Sequence, residues 1–275
     1  MRLQVEPLFC VQMIIRASSL PSYSDCARKT VAQNYPKLVE EAGYALNPRS
    51  QHIAGVLGTA FHAACAVVLR AIQAGAQVSA ETAKTAALES YDATLAGGIE
   101  WDNTTPEVAV LQLNRMIDSW IPYGITLKPA QVEQELTATI SSDYKLRGHL
   151  DLRTEDGVIH DHKTGARKGA SCASQLGGYS LLARANGLSV TGLSRDFMRR
   201  TPRMKTQDEI QQQALNVREC ELAATHTIER IATELDKFKA TGNPWVFNAN
   251  PNTIVCGQRF CPAWGTKFCT LGESK

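Results

Sequence analysis

Asp151, Asp161 and Lys163 fall within GHLDLRTEDGVIHDHKTG (148–165), a stretch that otherwise reads as two β-strands around an EDG turn. Across a short antiparallel turn the two aspartates can share one face. Lys163, two residues beyond Asp161, points the same way by strand alternation. Facing carboxylates repel unless something positive lies between them. A hard divalent cation answers that, because Mg²⁺ takes carboxylate oxygens and keeps several waters. A lysine beside it can hold or activate an attacking water and offset charge on a phosphate. Solvated charges on an exposed hairpin explain the spacing as readily. Asp156, in the turn itself, is read as turn chemistry.

The elements that must position these groups follow an ordered pattern. Residues 1–15 are an uninformative leader, and 18–36 read as a loop followed by a helix from about Ser22 or Ser24. IAGVLGTAFHAACAVVLRAIQAG (53–75) is the strongest helix, with Gly75 as its cap. A helix at 79–97 opens on a serine N-cap, and another at 105–122 opens on Pro106 with an apolar stripe. Strand signals then occupy 130–140, 144–154 and 158–163. A helix at 173–187, a strand at 188–200 and one long helix or two in line over 206–242 follow. The tail, 243–275, is rich in Pro, Gly and Cys and has no regular period. The order predicts an α/β fold: a small mixed sheet flanked by helices, with an N-terminal helical part and an irregular tail. The expected organisation is a single domain over 1–275. It divides into a mainly helical part (1–125), a catalytic sheet core (126–205), a long helix (206–242) and a Cys-rich tail (243–275).

The 275 residues carry 29 basic and 27 acidic side chains, a net charge of +2 that by itself argues for no nucleic-acid partner. The distribution says more, since Arg199, Arg200, Arg203 and Lys205 cluster in RDFMRRTPRMK. That run is read as a candidate phosphate-binding rim or a plain solvated loop. No window is expected to reach the roughly 18 apolar residues of a membrane span. No signal peptide is read at the start, so a cytoplasmic location is the default expectation. Eight cysteines are many for such a compartment, where disulfides are disfavoured. Cys65 and Cys220 are read as buried thiols.

Taken in order, GTAFH, GHLD, HDHKTG and QLGGY resemble the PD-(D/E)XK nuclease superfamily, and more narrowly its RecB-type exonuclease branch. Gly58, Thr59 and His62 match a G-T-x-x-H element, and Gly148 and Asp151 match G-x-x-D. Asp161, Lys163, Thr164 and Gly165 match D-x-K-T-G, and Gln175 and Tyr179 match Q-x-x-x-Y. The resemblance implies Asp151 and Asp161 as ligands of Mg²⁺ or Mn²⁺, with His62 completing the site through a ring nitrogen. His162 would contribute its backbone carbonyl. Lys163 becomes the catalytic lysine, and Gln175 and Tyr179 line the site. Glu135 is a candidate extra acid, while His149 and His160 are read as bystanders. The sequence departs from the pattern in lacking an acid a turn or so after His62.

Cys256, Cys261 and Cys269 form C-x4-C-x7-C, with Cys26 more than two hundred residues upstream. This spacing is unlike a paired zinc ribbon. It resembles the split Fe–S motif of many RecB-type nucleases, which implies a [4Fe–4S] cluster joining the chain ends in place of a core the tail cannot build. The x7 gap keeps Zn²⁺ or free thiols open. The resemblance implies a metal-dependent exonuclease acting on single-stranded or duplex DNA ends, in bacterial or phage recombination and repair. Its expected partners are a recombination protein or a second copy, and no membrane. An inactive DNA-end-binding module of the same fold and a restriction-type endonuclease are the competing readings.

Overall fold

Alternating and β-branched stretches form the main sheet, apolar-striped segments cover its two faces, and two short strands pair separately. The structure is a computed structural model that describes residues 12–48, 51–77, 79–169 and 171–272. The chain begins with β1 (Met13–Arg16), a 3₁₀ turn, and the short helices α1 (Leu20–Asp25), α2 (Ala27–Asn34) and α3 (Pro36–Glu41). Next come β2 (Gln51–His52), α4 (Ile53–Gln73), α5 (Ala80–Leu95), β3 (Ile99–Glu100) and α6 (Pro106–Gly124). The sheet core follows as β4 (Pro129–Thr139), β5 (Tyr144–Thr154), β6 (Val158–Gly165), α7 (Ala173–Ala185), β7 (Gly192–Arg199) and β8 (Gln211–Leu215). The last long element is α8 (Val217–Thr241).

Central β5 pairs antiparallel with β4 along its length, parallel with β1 at 144–147, and antiparallel with β6 at Leu152 and Arg153. β6 runs parallel to β7, and β7 antiparallel to β8. One core joins Ile15, Leu146, Leu150 and Ile159 of the sheet to α1, α7 and α8, and extends into the tail. A second core gathers α4, α5 and α6 with Leu152 and Met198. This is the mixed α/β architecture expected.

Helix ends follow the cap chemistry. The Ser79, Thr105 and Asn216 side chains accept amide hydrogen bonds at the starts of α5, α6 and α8. Gly242, with φ +64°, closes α8 in the left-handed region.

Five expectations need correction. The leader contributes β1, because Met13–Arg16 finds an open stretch of β5 that no local pattern reveals. The helix expected from 18–36 is broken: Cys26 adopts extended backbone between α1 and α2. The segment 206–242 is not one helix, since Gln211–Leu215 forms an exposed edge strand on β7 and Asn216 then caps α8. α4 is long and apolar enough to cross a membrane by length and composition. Here its apolar side is buried against α5, α6 and the sheet. Finally, the tail does build a core. Phe247 and Phe268 pack with Phe238 and Tyr44, with ring centroids 5.1 to 6.4 Å apart, so aromatic burial ties the tail to α8 and the N-terminal part.

Candidate metal centre and catalytic face

The centre lies where β5 and β6 part. Their register, carried one step beyond Leu152↔His160, sets Asp151 against Asp161. Ladder pairing stops there, and the His162 amide donates to Asp151 Oδ2 at 2.7 Å. Asp151 Oδ1 is left facing His62 Nδ1 at 3.3 Å, and Glu133 Oε1 lies 3.8 Å from the same nitrogen. His62 Nε2 donates to the His162 carbonyl at 2.9 Å. That hydrogen bond fixes the ring orientation and aims Nδ1 at the acids. Burial opposes a charged imidazole, but Asp151 and then Glu133 outweigh it and raise His62 to about 10. Burial likewise opposes ionisation of Asp151, yet the charges of His62 and Lys163 hold it well below the usual carboxylate range. A proton on His62 thus stands where a cation could. Ligand atoms of His62, Glu133 and Asp151 lie within 4.8 Å of one another, the one such group among the described residues.

The candidate catalytic face adjoins this group. Asp161 is fully buried, and its Oδ1 accepts from Lys163 Nζ at 2.7 Å and from Gln175 Nε2 at 3.1 Å. Its Oδ2 is buried with no hydrogen-bond partner. Burial, opposed by Lys163 and reinforced by Asp151, pushes the Asp161 carboxyl up to about 6. Lys163 stays charged despite burial because Asp161 and Asp151 face it. Gln175 also donates to the Tyr179 hydroxyl at 2.8 Å, one helical turn away. Burial raises Tyr179 well above its ordinary value. Gly148 lets α7 approach: a Cβ there would stand 2.6 Å from Leu182 Cδ1 and 2.9 Å from the Tyr179 ring.

An orphaned buried carboxylate oxygen, a histidine held between two acids and a mainly hard oxygen donor set fit Mg²⁺ or Mn²⁺. The structure brings together His62, Asp151, Asp161, Lys163, Gln175 and Tyr179. The His162 carbonyl borders the site as the acceptor of His62, with its second lone pair remaining for a cation.

Glu133 is the acid beside His62 and Asp151 that sequence reasoning missed, and Glu135, weighed instead, is exposed. Glu133 stands opposite Asp151 in the β4–β5 register, between Val132↔Leu152 and Gln134↔Leu150. It is the one described non-glycine residue with positive φ, at +50°. Such strain collects where function holds a side chain in place. VEQEL offered two acids, and only the register and that backbone turn choose between them. The acid beside the His62 ring thus comes from β4 rather than from the turn after His62. His149 meets Glu133 Oε2 at 2.6 Å, so it braces the acid. His160 is buried on the far side with Asp196 and Tyr123, away from the centre as expected.

The basic run is partly occupied. Arg199 pairs with Asp208 at 3.2 Å and Arg200 with Asp102 at 3.7 Å. The Arg203 and Lys205 carbonyls accept from Arg115, and their side chains are exposed beside it. Only the latter two present an open basic surface of the kind expected.

Cys26, Cys256, Cys261 and Cys269 line one pocket with Lys29, Asn250, Thr253, Trp264 and Leu271. Burial pushes Cys261 up to about 11, with the neighbouring Cys26 and Cys269 acting in the same direction against an Ala263 backbone hydrogen bond. No three of these thiols meet the 4.8 Å mutual spacing found at His62. Zn²⁺ with bonds of about 2.3 Å would draw tetrahedral sulfurs to about 3.8 Å. Cys65, Cys172 and Cys220 are buried elsewhere, and Cys10 lies outside the described residues.

Two strands that part over paired acids, with a lysine two residues beyond, sit at the centre of this mixed α/β fold. The profile of the PD-(D/E)XK nuclease superfamily matches residues 16–266, and the chain belongs to that superfamily. It is a nuclease by class, and nucleases of this superfamily usually use Mg²⁺ or Mn²⁺. The fold is similar to that of a candidate exonuclease from Eubacterium rectale, at 12% identity and a TM-score of 0.55, covering 93% of this chain and 92% of that one. LHK-Exo in complex with dAMP is a remoter likeness, at 12% identity and a TM-score of 0.30, covering 69% of this chain and 96% of that one. No curated protein sequence matches the chain.

Proposed function

We propose that the protein is a metal-dependent DNA exonuclease of the RecB type, acting in recombination, repair or phage DNA metabolism. The observation that carries this reading is the convergence of His62, Glu133 and Asp151 beside the Asp161–Lys163 pair. Held by His62, Glu133, Asp151 and the unpartnered oxygen of Asp161, Mg²⁺ or Mn²⁺ would supply Lewis-acid activation of water and charge neutralisation at the scissile phosphate. Asp161 keeps the Lys163 ammonium on the same face, where it offsets phosphate charge. Gln175 holds Asp161 in register with α7, and the His162 carbonyl holds the His62 ring. Arg203 and Lys205 lend an exposed basic surface for the DNA backbone.

The four cysteines are assigned to a [4Fe–4S] cluster. Their meeting in one pocket and the resemblance of their split spacing to the Fe–S motif of RecB-type nucleases support this reading.

End-labelled DNA with Mg²⁺ or Mn²⁺ tests the catalytic reading. Lys163→Ala and Asp161→Ala should each lower the rate by roughly 10² or more. Equal DNA loss by wild type and both variants would overturn the assignment. Iron and sulfide analysis, with Cys261→Ser as the control, tests the cluster. A colourless protein containing zinc refutes it.

A further inference from the structure

The cleft beside Lys163 does not end at the catalytic face. Thr164, Arg167 and Arg195 continue its wall, and it runs on past Lys29 and Val255. Those last two residues also line a second cleft of about 500 Å³. Its other walls are His52 and Gly55, at the start of α4, and Arg259 and Phe260 of the tail. Lys29, one turn after Cys26, is therefore the hinge-point of a channel between the catalytic face and the Cys-rich tail.

The second cleft combines an aromatic ring with cations. Phe260 has the His52 ring 5.8 Å away and the Arg259 guanidinium 5.5 Å from its centre. Gln33 Nε2 donates to the Phe260 backbone carbonyl at 3.0 Å, which ties this stretch of the tail to α2. Arg259 pairs with Glu100 at 2.7 Å and donates to the Trp101 carbonyl, which ties it to β3. Lys29, Arg167, Arg195 and Arg259 line the joined clefts, with Asp25 on the wall, Asp161 on Lys163, Glu100 on Arg259 and Asp102 beside His52.

A duplex presents base edges in its grooves and hides base faces in the stack. A ring in a cleft meets a base face only when the strand is single and the base unstacked. We infer that the joined clefts are the path of single-stranded DNA, with Phe260 as a stacking platform and Lys29 as a phosphate contact. The inference rests on the nuclease reading above and adds the form of the substrate to it.

Binding is measured with the full chain by fluorescence anisotropy without divalent cation, so that cleavage plays no part. A labelled thymidine tract should bind more tightly than a blunt duplex of equal length. Phe260→Ala should weaken binding of the tract about 5- to 150-fold. Phe260→Leu keeps apolar bulk but loses the aromatic face, so a loss like that of alanine supports stacking, and restored binding overturns it. A tract of abasic residues should bind wild type and Phe260→Ala equally. Lys29→Gln should reduce the salt slope of log affinity by about 0.7, a change Phe260→Ala does not make. Wild-type affinity of Phe260→Ala for the thymidine tract, or equal wild-type affinity for duplex and tract, overturns the proposal. Failure of the nuclease reading shows separately, as cleavage that survives Lys163→Ala.

Discussion

Gly148→Ala tests how closely the catalytic face depends on packing behind it. The added Cβ would meet Leu182 Cδ1 at 2.6 Å and two Tyr179 ring carbons at 2.9 and 3.0 Å. Leu182 Cδ1 ends a flexible side chain and can swing away. The Tyr179 ring cannot yield freely, because its hydroxyl accepts from Gln175, which also holds Asp161. Overpacking of this kind costs about 1–3 kcal/mol. For a chain near this length that lowers the melting temperature by roughly 2–10 °C. Pushing α7 outward draws Gln175 from Asp161 and loosens the carboxylate that keeps Lys163 in place. A displacement approaching 1 Å should lower kcat by about 10- to 100-fold. Mn²⁺ affinity should fall but not vanish, since Asp161 is loosened while His62, Glu133 and Asp151 stay held from α4, β4 and β5. The assays are a thermal melt, single-turnover cleavage and Mn²⁺ titration of one preparation. A lower melting temperature with unchanged kcat would break the proposed link from Gly148 through Tyr179 and Gln175. An unchanged melt would refute the steric reasoning itself.

Gly177→Ala should be the more disruptive change, because its Cβ would fall 1.8 Å from the Cys220 carbonyl oxygen and backbone cannot step aside. A loss on the order of 3 kcal/mol or more is expected in denaturant melts, and a wild-type midpoint would contradict it. Glu133→Gly should recover about 1 kcal/mol of left-handed backbone strain that Glu133→Gln keeps, while both lower Mn²⁺ affinity. Equal melting temperatures for the two variants would remove strain from the account. Metal binding needs a neutral imidazole, and His62 without metal is raised to about 10, so affinity should climb about tenfold per pH unit below that value. Calorimetry in two buffers should show about one proton released per ion near pH 8, and pH-independent affinity would refute this.

Residue types and spacing raised Asp151, Asp161 and Lys163 as candidates, because strand alternation is local geometry and puts 161 and 163 on one face, and the motif resemblance chose them over solvated charges. The turn of helix between Gln175 and Tyr179 is equally local, and their hydrogen bond follows from it. The caps Ser79 and Gly242 sit where short-range backbone chemistry requires them. The choice of Glu133 over Glu135 was not local. It depends on β4 lying against β5 in one register and on a left-handed turn at an acid, which period-2 alternation cannot express. β1 and β8 escaped for the same reason, since each exists only by pairing with a partner remote in the chain.

Sequence by itself thus determined the chemical groups, the alternation that aligns them and the ends of most helices. All of these rest on interactions within a few residues. Tertiary structure alone decided that Asp151 and Asp161 meet where two strands part, that His62 reaches them from α4 with its ring held by the His162 carbonyl, and that half the basic run is neutralised by Asp102 and Asp208. It also brought Phe260 and Lys29 to the walls of one cleft. Contacts between distant segments depend on how whole faces bury against each other, and no window of the chain carries that information.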